Sequence, residues 1–380
     1  MKNIVTEAKK NYLKLSKPRS CNLSFYVNYW VKETNLRNYV SKKIQKISPG
    51  SDFKNNNDLS SAVKEYFSIL SIDEMNYLHR EIMSVFPYSK RVQTAEKNKS
   101  LFHRLEKSFI KLTLARNKLA IDQGYSNYVD LIVNHDKLPK NSYQKFIKKI
   151  DLVISLINNK LPKSANFPNW FYSSLNIPCF ICQMPFPDLK RQEIIKLTEE
   201  KYSILKKFKN KISIFFGDNA QTTYHKETNT FKIMLLKDTN KRHRIIDFIH
   251  ELGHIIYWLE SFKNNKNPLE LGRYKAEKFA VEVEVKILEE IFPSVLESKF
   301  GDILLMFWRI LFEIHIYENP KKSSPKLYSQ LFNRCFLEAH QTNNWLYLVD
   351  ERIVSKPLSS LSQTIAYFEA LFNNYVKNSK

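Results

Sequence analysis

The sequence predicts a mainly helical protein with one small β-sheet, on three observations. Six glycines and fourteen prolines in 380 residues are sparse punctuation, which favours long helices over a strand-and-turn architecture. Apolar residues recur at i, i+3, i+4 and i+7 over most of the chain, the period of a helix with one buried face. Strand-like apolar runs gather in one place, between residues 212 and 236.

Taken in order, Ala62 to Leu70, Ile72 to Phe86 and Leu101 to Gln123 carry helical spacing, with polar breaks at Ser48-Pro49-Gly50 and Asn55-Asn56-Asn57. The stretch Leu138-Pro139-Lys140-Asn141 reads as a joint, followed by a helix from Ser142 to Asn159. Residues 162 to 187 hold five prolines and a lone C-x-x-C, Cys179 and Cys182, and read as an irregular crossover with two packed thiols. Leu189 to Asn210 is expected to be helix. Ile212 to Phe216 reads as a strand, and Thr222 to Tyr224 with Phe231 to Leu236 as a hairpin around a polar turn.

Four cysteines are too few and too scattered for a disulfide framework, so a reducing compartment is the expectation. The first residues lack the apolar core of a signal peptide, and no apolar run approaches the ~20 residues that span a bilayer. The expectation is a cytoplasmic chain without a membrane partner; its oligomeric state is not indicated. The net charge of +22 is spread over the whole length and no nucleic-acid module is recognisable, so a solvated basic surface is expected, with attraction of acidic peptides or a weak nonspecific affinity for polyanions as the alternative and no specific nucleic-acid partner.

One stretch states a chemistry. His250-Glu251-Leu252-Gly253-His254 lies within a run, Lys241 to Phe262, that has no proline, and Ile245, Ile246, Ile249, Leu252, Ile255, Ile256 and Leu259 mark its buried face. Asp238, Thr239 and Asn240 offer N-caps. On a helix, H-E-x-x-H sets two imidazoles one turn apart on one face, where both can bind one Zn²⁺ with the intervening Glu beside it as general base.

A catalytic zinc needs a third protein ligand. Downstream, Tyr274 to Glu290 is helical in period, and Glu277 and Glu284 fall inside its apolar arc while Glu282 and Glu289 fall outside. Two carboxylates on a buried face cost several kcal/mol unless paired or bound to metal. Glu277 is therefore the expected ligand, with Glu284 as a supporting acceptor and Glu282 as the fallback; an ordinary ion-pair role at a seam is the alternative for both buried acids.

These residues resemble the oligoendopeptidase F and thimet oligopeptidase family of zinc metallopeptidases, in which an H-E-L-G-H helix is followed by an A-E-x-x-x-x-x-x-E helix carrying the third ligand. Here these are His250 to His254, Ala276-Glu277 and Glu284. Arg116 to Ala120 with Gly124-Tyr125-Ser126-Asn127-Tyr128, and Phe312-Glu313-Ile314-His315-Ile316-Tyr317, are similar to two further family elements.

The resemblance implies a zincin-like (gluzincin) core inside a larger helical shell that forms a cleft. Residues 1–140 would be an N-terminal helical region and 141–380 the catalytic region. It implies zinc-dependent hydrolysis of short peptides, with His250, His254 and Glu277 on one zinc per chain, Glu251 as base, and the strand around Phe231 to Leu235 aligning the peptide. The family's late His and paired tyrosines are missing from Pro357 to Leu371; Tyr367 is the catalytic substitute named there, with His340 and Tyr347 as others. The alternative reading is a catalytically weakened or inactive zinc-binding protein of the same fold that serves a structural or interaction role.

Overall fold

The computed structural model describes residues 57–84, 97–160, 191–217, 220–225, 228–236, 241–264, 266–268, 270–291, 293–320, 325–336 and 345–377. The C-x-x-C, His340 and the N-caps expected before Lys241 lie outside them. The chain divides into two compact units, Met1–Ser60 and Ser61–Lys380, and the second carries the sheet and nearly all of the described helices.

The helices are α1 (Asn57–Ile69), α2 (Ile72–Ser84), α3 (Lys99–Asp122), α4 (Tyr128–His135), α5 (Lys140–Lys160) and α6 (Arg191–Lys201), then, after the sheet, α7 (Lys241–Lys263), α8 (Arg273–Ile291), α9 (Pro293–Glu318), α10 (Pro325–Cys335), α11 (Glu351–Ser355) and α12 (Leu361–Leu371). Proline opens α9 and α10, at the position where its missing N–H costs nothing. The Asn127 side chain caps α4 and that of Asp350 caps α11. Two helices are buried over much of their surface: along α9, Phe300, Ile303, Leu304, Phe307, Trp308, Ile310, Phe312 and Ile316 are buried, and almost all of α12 is buried.

Helix 189–210 does not form as expected. The α-helix stops at Lys201, and two 3₁₀ turns, Ser203–Lys207 and Lys209–Lys211, carry the chain into the sheet. Tyr202 takes a non-helical conformation (φ −126°, ψ 77°) and Leu205, in the first turn, is wholly buried. Tertiary burial of one leucine overrides local propensity, and no glycine or proline announces the break.

The sheet holds β1 (Ile212–Gly217), β2 (Gln221–His225) and β3 (Thr230–Leu236) in the order β1-β3-β2. β1 runs parallel to β3 with Ile212 opposite Phe231, and β2 runs antiparallel with Gln221 opposite Met234 and His225 opposite Thr230. Phe231, Ile233 and Leu235 alternate into the core, and β3 packs on α7. This order corrects one expectation. β3 has a partner on each side, so its main chain cannot add a peptide strand; among the described strands, the edge next to α7 belongs to β2.

Among the described helices α7 packs most extensively on α8, and α8 in turn packs on α12. Gly253 makes the first contact possible. A Cβ there would lie 2.7 Å from the Ala280 Cα and 2.9 Å from its carbonyl oxygen, so any side chain would wedge the two helices apart. His250 faces Glu284, Gly253 faces Ala280 and Tyr257 faces Phe279. The two helices therefore run antiparallel with their functional faces in register.

Candidate metal centre

The close approach at Gly253 brings three side chains together. One donor atom each from His250, His254 and Glu277 lies within 4.8 Å of the others. The imidazoles, one helical turn apart, have ring centroids 4.8 Å apart and nearly perpendicular planes. Glu277 Oε2 sits 3.4 Å from His250 Nε2 and 3.9 Å from His254 Nε2. Glu282 points elsewhere: its side chain is 52% exposed and lies 4.0 Å from Lys278.

Behind this trio stands Glu284, wholly buried. Its Oε2 is 2.9 Å from His250 Nδ1 and accepts a 2.6 Å hydrogen bond from the Tyr367 hydroxyl, while Oε1 is 3.7 Å from Lys299 Nζ. An imidazole whose Nδ1 is held by a carboxylate presents Nε2 to its other side, the arrangement that orients histidine ligands toward metals. Tyr367 is thus brought to the site, with its hydroxyl engaged by Glu284. Tyr347 is buried elsewhere, in an aromatic cluster with Phe109, Phe312 and Tyr328.

Glu251, between the two imidazoles, is tied down by Thr222 of β2, whose hydroxyl lies 2.6 Å from Glu251 Oε2 and 3.0 Å from its backbone carbonyl. Trio and base open onto a cavity of about 430 Å³, lined also by Ala220, Gln221, Asp247, Trp258, Arg273, Lys299, Gln363 and Tyr367. The Gln363 amide reaches within 3.5 Å of His250 Nε2. Thr222, Arg273 and Lys299 carried no signal in the sequence: each comes from a separate element, and no spacing links them to His250.

The protonation states are pushed in opposite directions. Burial opposes the charge on His250, but its hydrogen bonds to Glu277 and Glu284 prevail and raise its pKa to about 10. Burial, reinforced by the neighbouring His250 charge, lowers His254 to about 4. Glu277 falls to about 2 despite burial, because His250, His254 and Arg273 surround it. Burial raises Glu251 to about 7, partly offset by His250 and the Thr222 hydroxyl.

A divalent cation suits this set. Two buried carboxylates flank one imidazole, Glu277 at Nε2 and Glu284 at Nδ1; the two imidazole nitrogens and the Glu277 oxygen form a donor set that zinc takes. Within the described residues this is the one such group of histidines, cysteines and acids, and no helix among them is long and apolar enough to cross a membrane.

No protein-family model and no curated protein matches the chain. Solved structures do. PZ peptidase A, solved with inhibitor 2, is 14% identical, with a TM-score of 0.45 over 84% of this chain and 64% of that one. A protein assigned as oligoendopeptidase F is 14% identical, with a TM-score of 0.48 over 86% and 66%. A second, from Bacillus anthracis str. Ames, is 16% identical, with a TM-score of 0.43 over 89% and 68%. The chain spans just under two thirds of the length of the first two. The protein is similar in fold to oligoendopeptidase F and related peptidases.

Proposed function

We propose that the protein is a zinc-dependent peptidase acting on short peptides, with His250, His254 and Glu277 as zinc ligands and Glu251 as general base. The observation that carries this reading is the convergence of those three donors on a cavity that also holds a buried carboxylate with a pKa of about 7. A bound zinc supplies Lewis acidity, polarising a carbonyl and easing deprotonation of water.

The chain's own residues do the rest. One Glu251 oxygen is anchored by Thr222, and the carboxylate takes a proton from the attacking water and returns it to the departing amine nitrogen. Glu284, braced by Tyr367 and Lys299, keeps the proton of His250 on Nδ1 so that Nε2 stays available as a donor. The outer edge of β2, which no other described strand pairs, replaces β3 as the segment that aligns an extended peptide through main-chain hydrogen bonds. Residues 220 to 222 already line the cavity.

Cleavage of a quenched-peptide library by the zinc-loaded protein, its loss on chelation and its return with zinc are the expected results. Glu251→Gln should keep the metal and lose on the order of 10²–10⁴ in turnover. A zinc-replete wild type that cleaves no peptide contradicts peptidase activity, and full activity in Glu251→Gln contradicts the assigned base.

A further inference from the structure

Among the described residues, one lysine and one arginine line the cavity, and they are placed very differently. Lys299 is 14% exposed and lies 3.7 Å from the buried Glu284, with Asp247 and Asp302 also holding its charge. Arg273 is 48% exposed and touches an acid only through Nε, 3.6 Å from Glu277 Oε1. No second carboxylate is paired with it among the described residues. Because α7 and α8 run antiparallel, Asp247 and Glu284 belong to the other end of the helix pair. At the Arg273 end the cavity wall adds the uncharged Trp258, which packs with Tyr224 and Phe262.

The position of Arg273 is built rather than incidental. It is the first residue of α8 and follows Gly272, whose φ of 87° suits glycine and whose absent Cβ would lie 2.7 Å from the Lys137 Cβ and 3.0 Å from the Asp136 carbonyl. The next residue donates its backbone N–H to that same carbonyl. The turn thus pins the start of α8 and directs the guanidinium to the cavity mouth.

We propose that Arg273 binds a carboxylate of the substrate through its two terminal nitrogens, so that the site selects peptides with an anionic group next to the bond that is cut. The inference deepens the peptidase reading and rests on it: once Glu277 serves a metal, its charge is shared, and the guanidinium fork is left to pair with an incoming anion. A planar fork matches a carboxylate in two parallel hydrogen bonds. Its distance from Glu277 sets the bound group within about one residue of the metal ligands, given a rise of ~3.3–3.6 Å per extended residue. The chain's charge of +22 draws acidic peptides toward it.

The carboxylate comes either from the peptide's own C-terminus or from an acidic side chain, and one experiment separates these. Three peptides of equal length are compared with the zinc-loaded full chain: one with a free C-terminus, one amidated, and one amidated with glutamate as its last residue. Wild type is expected to favour one carboxylate-bearing peptide over the neutral amide by roughly ten- to hundredfold in kcat/KM, mainly through KM, and the favoured peptide names the source. Arg273→Gln, checked for equal zinc content, removes the preference, and Arg273→Lys restores part of it.

Calorimetric binding of the same peptides to zinc-loaded Glu251→Gln gives a second readout. Equal treatment of all three peptides by wild type, or an unchanged preference in Arg273→Gln, overturns the inference. Discriminating binding without any cleavage by wild type upholds Arg273 and refutes the peptidase reading; cleavage without discrimination does the reverse.

Discussion

Two buried polar clusters in this molecule look alike in composition and differ in purpose. The first is the candidate metal centre. The second ties α3, α4, α9 and α11 together. There Arg116 donates to the Tyr317 hydroxyl at 3.0 Å and to the Val354 carbonyl at 2.6 Å. Asn117 donates to the Tyr317 carbonyl and accepts from the Tyr128 amide. Glu313 accepts from the Leu358 amide, and Arg309 pairs with Asp350 at 3.0 Å.

In the second cluster polar atoms end on backbone groups or on one another, so the network locks helices together. In the first, donor atoms converge on a shared cavity, and their pKa values are driven apart. Buried charge alone does not mark a site; convergence of donor atoms on a cavity, with pKa values pushed apart, does. Both clusters arise from stretches that the sequence brings to notice, yet only one opens onto a described cavity.

The contrast makes predictions, of which the largest concerns the lock. Arg116→Ala strands the Tyr317 hydroxyl and the Val354 carbonyl inside the protein and should cost about 3–5 kcal/mol, read as a lower midpoint in denaturant unfolding. Zinc stoichiometry of the folded fraction should not change. Loss of metal with unchanged stability would erase the distinction between the clusters.

Glu284→Gln should show the opposite pattern. It keeps shape but removes the carboxylate that orients His250, so zinc affinity should fall by roughly 10–100-fold, measured by competition with a chromophoric chelator. An unaltered affinity would reduce Glu284 to an ordinary ion-pair partner of Lys299.

A smaller effect sharpens the lock's electrostatics. Burial raises the Glu313 pKa from 4.5 to about 8, so the folded state holds this proton more tightly than the unfolded chain. The stability it confers is fully present below pH 4.5 and is lost as pH rises through 8. Glu313→Gln should flatten that slope in denaturant melts between pH 6 and 9; an equally steep loss in the variant would place its origin elsewhere.

Local regularities were legible in the sequence, and long-range ones were not. The helix from Lys241 to Lys263 follows from unbroken apolar spacing, and the shared arc of Glu277 and Glu284 from the helical turn of ~100° per residue. The break after Lys201 was not legible, because a buried Leu205 decides it. The sheet order was not either: hairpin signals pair β2 with β3 but do not say that β1 takes the other side of β3, which removed β3 as a peptide-binding edge. Thr222 reaches Glu251 across 29 positions and Tyr367 reaches Glu284 across 83; pairing at that range is a property of packing. The resemblance pointed to the late helix and to Tyr367, while the contact that engages its hydroxyl became visible only in the fold.

The central claim is that one divalent metal sits between α7 and α8. Elemental analysis of the full chain after zinc loading and desalting tests it most directly, with Glu277→Ala alongside. The expected result is one zinc per chain in the wild type and a clear loss in the variant. A wild type that retains no metal, or a folded Glu277→Ala that retains as much as the wild type, would contradict it.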